Sequence, residues 1–487
     1  MTPRPWDRSS SSSQRKAVVI GGGISGLAAA HRLLELSREK GLNLKITVLE
    51  ASPRLGGLIE TERRGDFLIE GGPDAFLADR PWAKELCRRI GMGDELISTS
   101  EGTRRSFIAW RGKLEPMPEG FYLTAPVGLK PLMECRILSL PGKLRMACER
   151  FIPRRMAAGD ESVASFVRRR LGPETLQRIA QPMIGGIYAA DLEKLSIKAA
   201  LPQFHGMEKE HGSVLRALWK GGVRAGAAGA EKASGPRYSM FLTPRFGMIR
   251  LVEVLARRML EVDLKTNTSV AGIERSRQGW AVRSKQGEIF QADALCLALP
   301  AHATAALLKP VAPTAAQDLE SIPCESAATV TLAFNKSDLP VPFSGFGFVV
   351  PGGKAGGVVG CTFSSHKFAH RAPSGTVLLR AFIGGALAPA AVGKENAVLE
   401  SSVRALLKET LQMQAAPRVS VVYRYPKSMP QYHVGHLEKV ERIEKEIARL
   451  PALAVTGNWA HGVGIPHCIR QAELAAEKLC SGLTTSS

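Results

Sequence analysis

Residues Lys16–Ala30 read KAVVIGGGISGLAAA, and the fold turns on how this stretch is understood. Ala17, Val18, Val19 and Ile20 form an unbroken apolar run, the pattern of a short strand buried on both faces of a parallel sheet. Gly21, Gly23 and Gly26 follow at G-x-G-x-x-G spacing, and LAAAHRLLEL continues in residues that favour a helix. Each glycine has a physical task. Gly21 permits the tight turn, Gly23 lets the backbone approach a pyrophosphate, and Gly26 lets helix and strand pack closely. The helix N-terminus would carry the diphosphate charge, which makes Gly21, Gly23, Ile24, Ser25 and Gly26 candidate contacts. The next strand, LKITVLE, ends in Glu50, where an acidic side chain meets ribose hydroxyls. A carboxylate there favours an unphosphorylated ribose, hence NAD or FAD over NADP.

Two further glycine turns follow. ASPRLGGLIET places Ala51, Arg54, Gly56, Gly57 and Leu58 just after Glu50, combining close backbone approach with a cation for phosphates. GDFLIEGGPDAF adds Gly71, Gly72, Pro73 and Asp74. Near the C-terminus, VTGNWAHGVGIPHCIRQAELAAEKL has Gly457 at the end of a strand-like run. There Gly462 and Gly464 bracket a turn, and Ile465 and Pro466 open a helical pattern. A helix start of this kind can meet a flavin ring edge with backbone N–H groups. Gly457, Trp459, Gly464, Ile465 and Pro466 are therefore candidate cofactor contacts.

The E-x-x-x-R-x-G-G block at Glu50–Gly57 and the G-x-G-I-P block at Gly462–Pro466 resemble the superfamily of FAD enzymes that holds the amine oxidases and protoporphyrinogen oxidases. QPMIGGIYAADLEKLSIKAALPQF (Gln181–Phe204), SLPGKLRMA, FGMIRLVEVLARRM and GNWAHGVGIPHCI are most similar to the oxygen-dependent protoporphyrinogen oxidases, including the bacterial branch acting on coproporphyrinogen. The resemblance runs from about Lys16 to Leu479. Two positions depart from the pattern: Phe246 and Ala472 stand where glycine is common.

The resemblance implies an α/β plus α+β architecture: a discontinuous Rossmann-like FAD domain, a mixed-sheet substrate domain and a helical, membrane-associating subdomain. On this reading 1–14 is a disordered tail, and 15–95, 238–305 and 445–487 build the FAD domain, with Val270 near the adenine. Residues 96–118, 190–236 and 306–444 build the substrate domain, with a flexible loop at 219–237, and 119–189 form the helical subdomain. The implied reaction oxidises protoporphyrinogen IX to protoporphyrin IX in haem biosynthesis. Three rounds remove six electrons, and dioxygen becomes hydrogen peroxide. Coproporphyrinogen III oxidation is the alternative; a flavin amine oxidase, a carotenoid desaturase and a non-catalytic flavin-binding protein are more distant ones. A macrocycle carrying propionates asks for a broad apolar slot with a cation at its rim. By resemblance, Met183, Gly186, Ile187 and Tyr188 lie beside the macrocycle, Phe346 and Val349 on a wall strand, and Phe382 on the facing strand. By the same resemblance Arg105 is the rim cation, with Arg104 as the second candidate. No catalytic acid or base stands out.

Composition bounds the rest. A chain of 487 residues is too long for one simple core and predicts two or three domains. Lys and Arg number 65 against 45 Asp and Glu, a net charge of +20 that attracts anionic lipid or acidic small molecules. Nothing resembles a nucleic-acid module. The eight cysteines lack metal-ligand spacing and read as reduced, mostly core-filling thiols, which fits a cytoplasmic chain. His433 and His436 read as surface or loop histidines. No apolar run is long enough to span a bilayer, so membrane contact would be peripheral, on the inner face of the cell membrane. Phe121–Arg155 mixes Leu, Met and Phe with Lys130, Arg136, Lys143, Arg145, Arg150, Arg154 and Arg155, which suits an interfacial helix; a helical subdomain with a solvated basic face is the competing reading. The resemblance is also compatible with a homodimer.

Overall fold

The computed structural model describes residues 14–100, 105–117, 119–157, 159–220, 241–276, 279–340, 344–353 and 355–485. The expected tail, most of the expected loop at 219–237, and Arg104 lie outside these residues.

Lys16–Ile20 lie in the strand Arg15–Ile20, and the helix Ile24–Glu39 follows directly. That strand is the centre of a five-stranded parallel sheet. Its neighbours are Leu44–Leu49, then Asp263–Lys265 on one side, and Ala294–Ala298, then Leu453–Thr456 on the other. The near-continuous apolar runs of these strands require cover on both faces. On one face, helices Ile24–Glu39, Pro81–Arg89, Ile249–Arg258 and Ile465–Thr485 close a core around Val19, Leu33, Val48 and Leu255. Ala472 is fully buried there, so its methyl group is accommodated within helix packing. On the other face, a three-stranded antiparallel sheet (Val270–Ser276, Gly279–Ser284, Ile289–Ala292) and three helices pack around Trp280 and Leu297.

A second sheet has seven strands, in the order Val419–Pro430, Cys324–Asn335, Thr376–Gly384, Val358–Phe363, Gly347–Val349, Ser106–Trp110 and Lys113–Pro116. All pairs are antiparallel except Gly347–Val349 with Ser106–Trp110. Its period-two pattern separates two faces. Leu379, Ala381 and Ile383 turn to a core roofed by the helix Asn396–Leu411. Leu378 belongs to the opposite face, where it packs with Phe67 and Ile69.

Helices between Leu129 and Trp219 form a third core around Phe166, Ile179 and Phe204. The single interfacial helix expected over Phe121–Arg155 is absent. The segment instead forms a short hairpin (Phe121–Tyr122 with Ala125–Pro126), two short helices (Leu129–Glu134 and Leu140–Ala147) and a 3₁₀ turn at Cys148–Phe151. The chain around Pro141 explains part of the break: Ser139 caps the second helix through its Oγ, and Pro141 stands in that helix's first turn.

Candidate functional site

The first glycine turn is held together almost entirely by backbone. A Cβ at Gly26 would lie 1.8 Å from the carbonyl oxygen of Gly21, and one at Gly21 2.3 Å from that of Ala298. Gly21 also has φ +109°, a conformation open to glycine. Gly56 donates its N–H to the Gly22 carbonyl at 2.8 Å, which brings the second turn alongside the first. Gly23 differs from its neighbours. A Cβ there would find only the Gly57 Cα, at 3.9 Å, so this position opens onto unfilled space. It precedes the helix Ile24–Glu39 with no side-chain cap, leaving the first-turn amides to a ligand.

Glu50 stands at the mouth of this cradle. Its Oε2 accepts the Gly22 N–H at 2.7 Å, and its Oε1 accepts the Ser52 N–H at 2.8 Å. The Glu50 backbone also bonds to Lys265 and Thr268, which places the chain leading to Val270 beside it. Ala51 is exposed next to it. Arg54 is engaged within its own loop: its guanidinium donates to the carbonyls of Ile59 (2.9 Å) and Gly57 (2.8 Å) and pairs with Glu60 at 3.2 Å. It fixes the shape of the Gly56–Gly57 turn, and Leu58 is left exposed at the tip.

The Gly71–Gly72 turn depends on side chains from far away in the sequence. A Cβ at Gly72 would lie 1.7 Å from the Leu58 carbonyl, so the turn is pressed against the 56–60 loop. Arg380, buried on the strand Thr376–Gly384, donates to the Gly71 carbonyl at 2.6 Å and also to that of Gly72. Thr329 Oγ1 donates to the same Gly71 oxygen at 3.1 Å. After Pro73, Asp74 accepts from Lys367 at 2.9 Å. Burial pushes the Asp74 carboxyl up, but Lys367 and then Arg380 outweigh it and hold the group below its ordinary range. Glu70 is buried, accepting from Thr61 Oγ1 at 2.6 Å and the Met248 N–H at 2.9 Å. Desolvation dominates at Glu70 and pushes it up to about 7.

The C-terminal turn closes the same region. Ser25 lies beside the buried Cys468 thiol of the helix Ile465–Thr485, which brings the two helix starts together. Gly464 is exposed, a Cβ there making only ordinary contact with Pro466 at 3.7 Å and His467 at 3.9 Å, and Ile465 and Pro466 are buried behind it. A Cβ at Gly457 would lie 2.7 Å from the Trp459 Nε1, so this position has no room for a side chain. Trp459 is buried in the core beneath the sheet, with its Nε1 lacking a hydrogen-bond partner among the described residues. His436 is not a surface histidine, as expected from the sequence. It is buried, stacked on Tyr432 at 4.1 Å, and its Nε2 meets the Ala460 carbonyl at 3.2 Å. Burial pushes its imidazole down to about 4, so it is neutral near pH 7. Tyr432 donates to the Asn458 carbonyl at 2.5 Å and accepts the Gly462 N–H at 2.9 Å. The two rings thus shape the 457–464 loop. Half-buried His433 takes no part in that stack.

The expected substrate residues separate into three groups. Val349, Gly360, Phe382, Thr329 and Tyr423 stand in register across five strands. A Cβ at Gly186 would lie 3.9 Å from Val349 Cγ1, so Gly186, Val349 and Phe382 come together. The Arg380 guanidinium lies 4.9 Å from the Phe382 ring centre. The second group is buried: Met183 lies in the helical core, and Phe346 is covered where its N–H donates to the Arg105 carbonyl at 2.8 Å. The third is exposed, or half so. Ile187 reaches solvent, half-buried Tyr188 donates to the Ala200 carbonyl at 3.0 Å, and the Arg105 side chain is 63% exposed, 4.0 Å from Glu119. The chain entering Gly186 is a π-type helical turn, Leu176–Gly185, and the segment leaves through Ala189 at φ +51°. Irregular helix of this kind is frequent at functional sites.

Arg380, Tyr432 and His436 are the positioning residues that sequence reasoning missed. For Arg380 a signal existed, since one arginine in the apolar run TVLLRAFIG is buried whichever face it takes. Nothing comparable marked the other two.

Helix starts, open glycines at 23 and 464, and an acid at the cradle mouth fit a dinucleotide cofactor, and comparison with known proteins gives the same answer. The chain is 35% identical to a coproporphyrinogen III oxidase of Propionibacterium freudenreichii subsp. freudenreichii, over 95% of this chain and 90% of that one. It is 30% identical to a chloroplastic protoporphyrinogen oxidase of Oryza sativa subsp. japonica, over 96% and 88%. Its fold matches the crystal structure of a protein assigned as a protoporphyrinogen oxidase from Exiguobacterium sp. 255-15, with a TM-score of 0.84 and 29% identity, covering 96% of this chain and 99% of the other. The family model described as flavin containing amine oxidoreductase matches residues 24–480. The chain belongs to that family and is an FAD-dependent oxidoreductase.

Proposed function

We propose that this enzyme oxidises a porphyrinogen to the corresponding porphyrin in haem biosynthesis, with coproporphyrinogen III as the favoured substrate. The observation that carries the reading is Arg380: one guanidinium bonds the Gly71–Gly72 turn and lies against Phe382, so the cofactor side and the apolar wall are fixed relative to each other. Gly186 and Val349 complete a wall of small and apolar groups suited to a flat macrocycle. FAD, when bound, supplies the two-electron acceptor. The protein's part is to position a meso carbon and exclude water, and its exposed cation Arg105 is available to a propionate. Coproporphyrinogen is favoured because the 35%-identical relative carries that name; protoporphyrinogen IX is the second reading, supported by the 30%-identical plant relative.

We further propose peripheral contact with a membrane through the helical region. Among the described residues no helix is long and apolar enough to cross a bilayer. Leu129, Met133, Leu140, Leu144, Phe151 and Met156 are exposed there, interleaved with Lys130, Lys143 and Arg150. Dioxygen as final acceptor is part of the same proposal.

The test is anaerobic addition of coproporphyrinogen III and protoporphyrinogen IX, separately, to the FAD-loaded protein. Flavin bleaching, followed by porphyrin fluorescence and about three dioxygen per porphyrin on admitting air, is expected with the true substrate. No bleaching with either sinks the reading.

A further inference from the structure

Away from the cofactor cradle, Arg154–Ala157 and Gly159 line, together with helices Ile197–Ala200 and Pro202–His211, a cavity of about 420 Å³. Its lining is strongly cationic: Arg154, Arg155, Lys198 and Lys209, with His205 among them. Only two acids, Glu161 and Glu208, reach it, and both are committed. Arg169 binds Glu208 through both carboxylate oxygens, at 2.6 and 2.9 Å, and Glu161 at 2.6 Å. The Arg155 N–H donates to Glu208 at 3.1 Å, and its guanidinium sits 3.7 Å from Glu161. Burial pushes Glu208 up, yet Arg169 prevails and holds it below its ordinary range. The carboxylates therefore neutralise the floor, while the Arg154 and Lys209 side chains make no hydrogen bond or ion pair among the described residues. At the mouth stand Met156, 81% exposed, and nearby Phe151, 72% exposed, with the Arg150 guanidinium 4.6 Å from its ring centre.

Free cations inside a cavity, with bare apolar side chains at its rim, describe a ligand that is a phosphate anion at one end and hydrocarbon at the other. We propose that this cavity binds the phosphodiester headgroup of an anionic lipid, with Arg154 and Lys209 as the headgroup contacts and Met156 entering the acyl region. The inference rests on the membrane reading above and adds to it a defined headgroup site.

Four variants separate the two ideas in the FAD-loaded protein. R154A/K209A empties the cavity of its free cations without touching the Glu161–Arg169–Glu208 pairs, and K209E alone reverses one charge. L140S/L144S removes exposed apolar groups and leaves the cavity intact. K84A/K309A, at exposed lysines of the cofactor-binding half, removes the same charge elsewhere. Co-sedimentation is measured with phosphatidylcholine vesicles containing or lacking phosphatidylglycerol. At about 1 kcal/mol per basic side chain near a membrane, R154A/K209A is expected to weaken phosphatidylglycerol-dependent binding roughly 30-fold, and K84A/K309A less than threefold. Loss of that binding in L140S/L144S but not in R154A/K209A or K209E overturns the headgroup site and leaves the membrane reading standing. Failure of the wild type to bind either vesicle overturns both. Soluble glycerol 3-phosphate, titrated by calorimetry, is the other arm: saturable binding lost in R154A/K209A, with no vesicle binding, assigns the cavity to a free phosphate ester and overturns the lipid source.

Discussion

The two glycine turns that frame the candidate cofactor site are built on different physical terms. The Gly21–Gly26 turn is a local object: its close contacts join residues a few positions apart or on the adjoining strand, and its most open position, Gly23, faces unfilled space. The Gly71–Gly72 turn is a remote one. Its carbonyls are held by Arg380 and Thr329, and the acids near it, buried Glu70 and half-buried Asp74, are answered by Thr61 and Lys367. The first turn can therefore lose its ligand without losing its fold, whereas the second cannot be altered without disturbing the join between the two sheets.

The sharpest way to break this contrast is at Gly72. Gly72→Ala places a methyl against the Leu58 carbonyl and is expected to lower stability by about 4 kcal/mol or more, read as a large fall in thermal midpoint or as insoluble protein. A soluble variant with an unchanged midpoint would show the turn to be pliable. Arg380→Met comes next. It removes a buried cation whose partners stay behind, with an expected cost of about 3 kcal/mol and loss of bound flavin. Full flavin content and a wild-type melt would remove Arg380 from its positioning role.

Glu70 sharpens the comparison through pH. Its folded pKa of about 7 lies above that of an unfolded glutamate, so the native state binds the extra proton. This contribution is complete below about pH 4.5 and is lost as pH rises toward 7, with a slope of up to about 1.4 kcal/mol per pH unit. Denaturant melts of wild type and Glu70→Gln at pH 5 and pH 8 should show the variant gaining relative stability at pH 8. An identical pH dependence in both proteins would place the titration elsewhere.

The smallest effect on the fold is expected at Gly23. Gly23→Trp should leave the apoprotein within about 0.5 kcal/mol of wild-type apoprotein while abolishing flavin content. A folded variant that retains full flavin would contradict the placement of the diphosphate.

The same contrast explains what the sequence made legible. The strand, the three glycines, the helix and Glu50 could be read because they follow one another at fixed short spacing, with Gly22 meeting Glu50 only 28 positions on, even though Gly21 also packs against distant Ala298. The strand Leu453–Thr456 was readable as the strand-like run that Gly457 ends. Phe121–Arg155 misled because its composition is that of an amphipathic helix, while Pro141 and the Ser139 cap divide it. Phe346 and Met183 showed their apolar character but not their burial, since a slot wall and a core read alike in one dimension. His436 was read as exposed because its partner, Tyr432, lies at i−4 outside any helix, where no periodic pattern reports the pairing. Arg380 lies 309 positions from Gly71, beyond any window in which spacing carries information.

The parallel sheet has a consequence for biosynthesis. Its central strand, Arg15–Ile20, is synthesised well before the outer strand Leu453–Thr456 and the helix Ile465–Thr485 that packs beside it. Pairings this distant in sequence form slowly and late. The cradle glycines must wait until the segment 453–485 has been made before their surroundings are complete, and the exposed edges of the unfinished sheet need shielding until then.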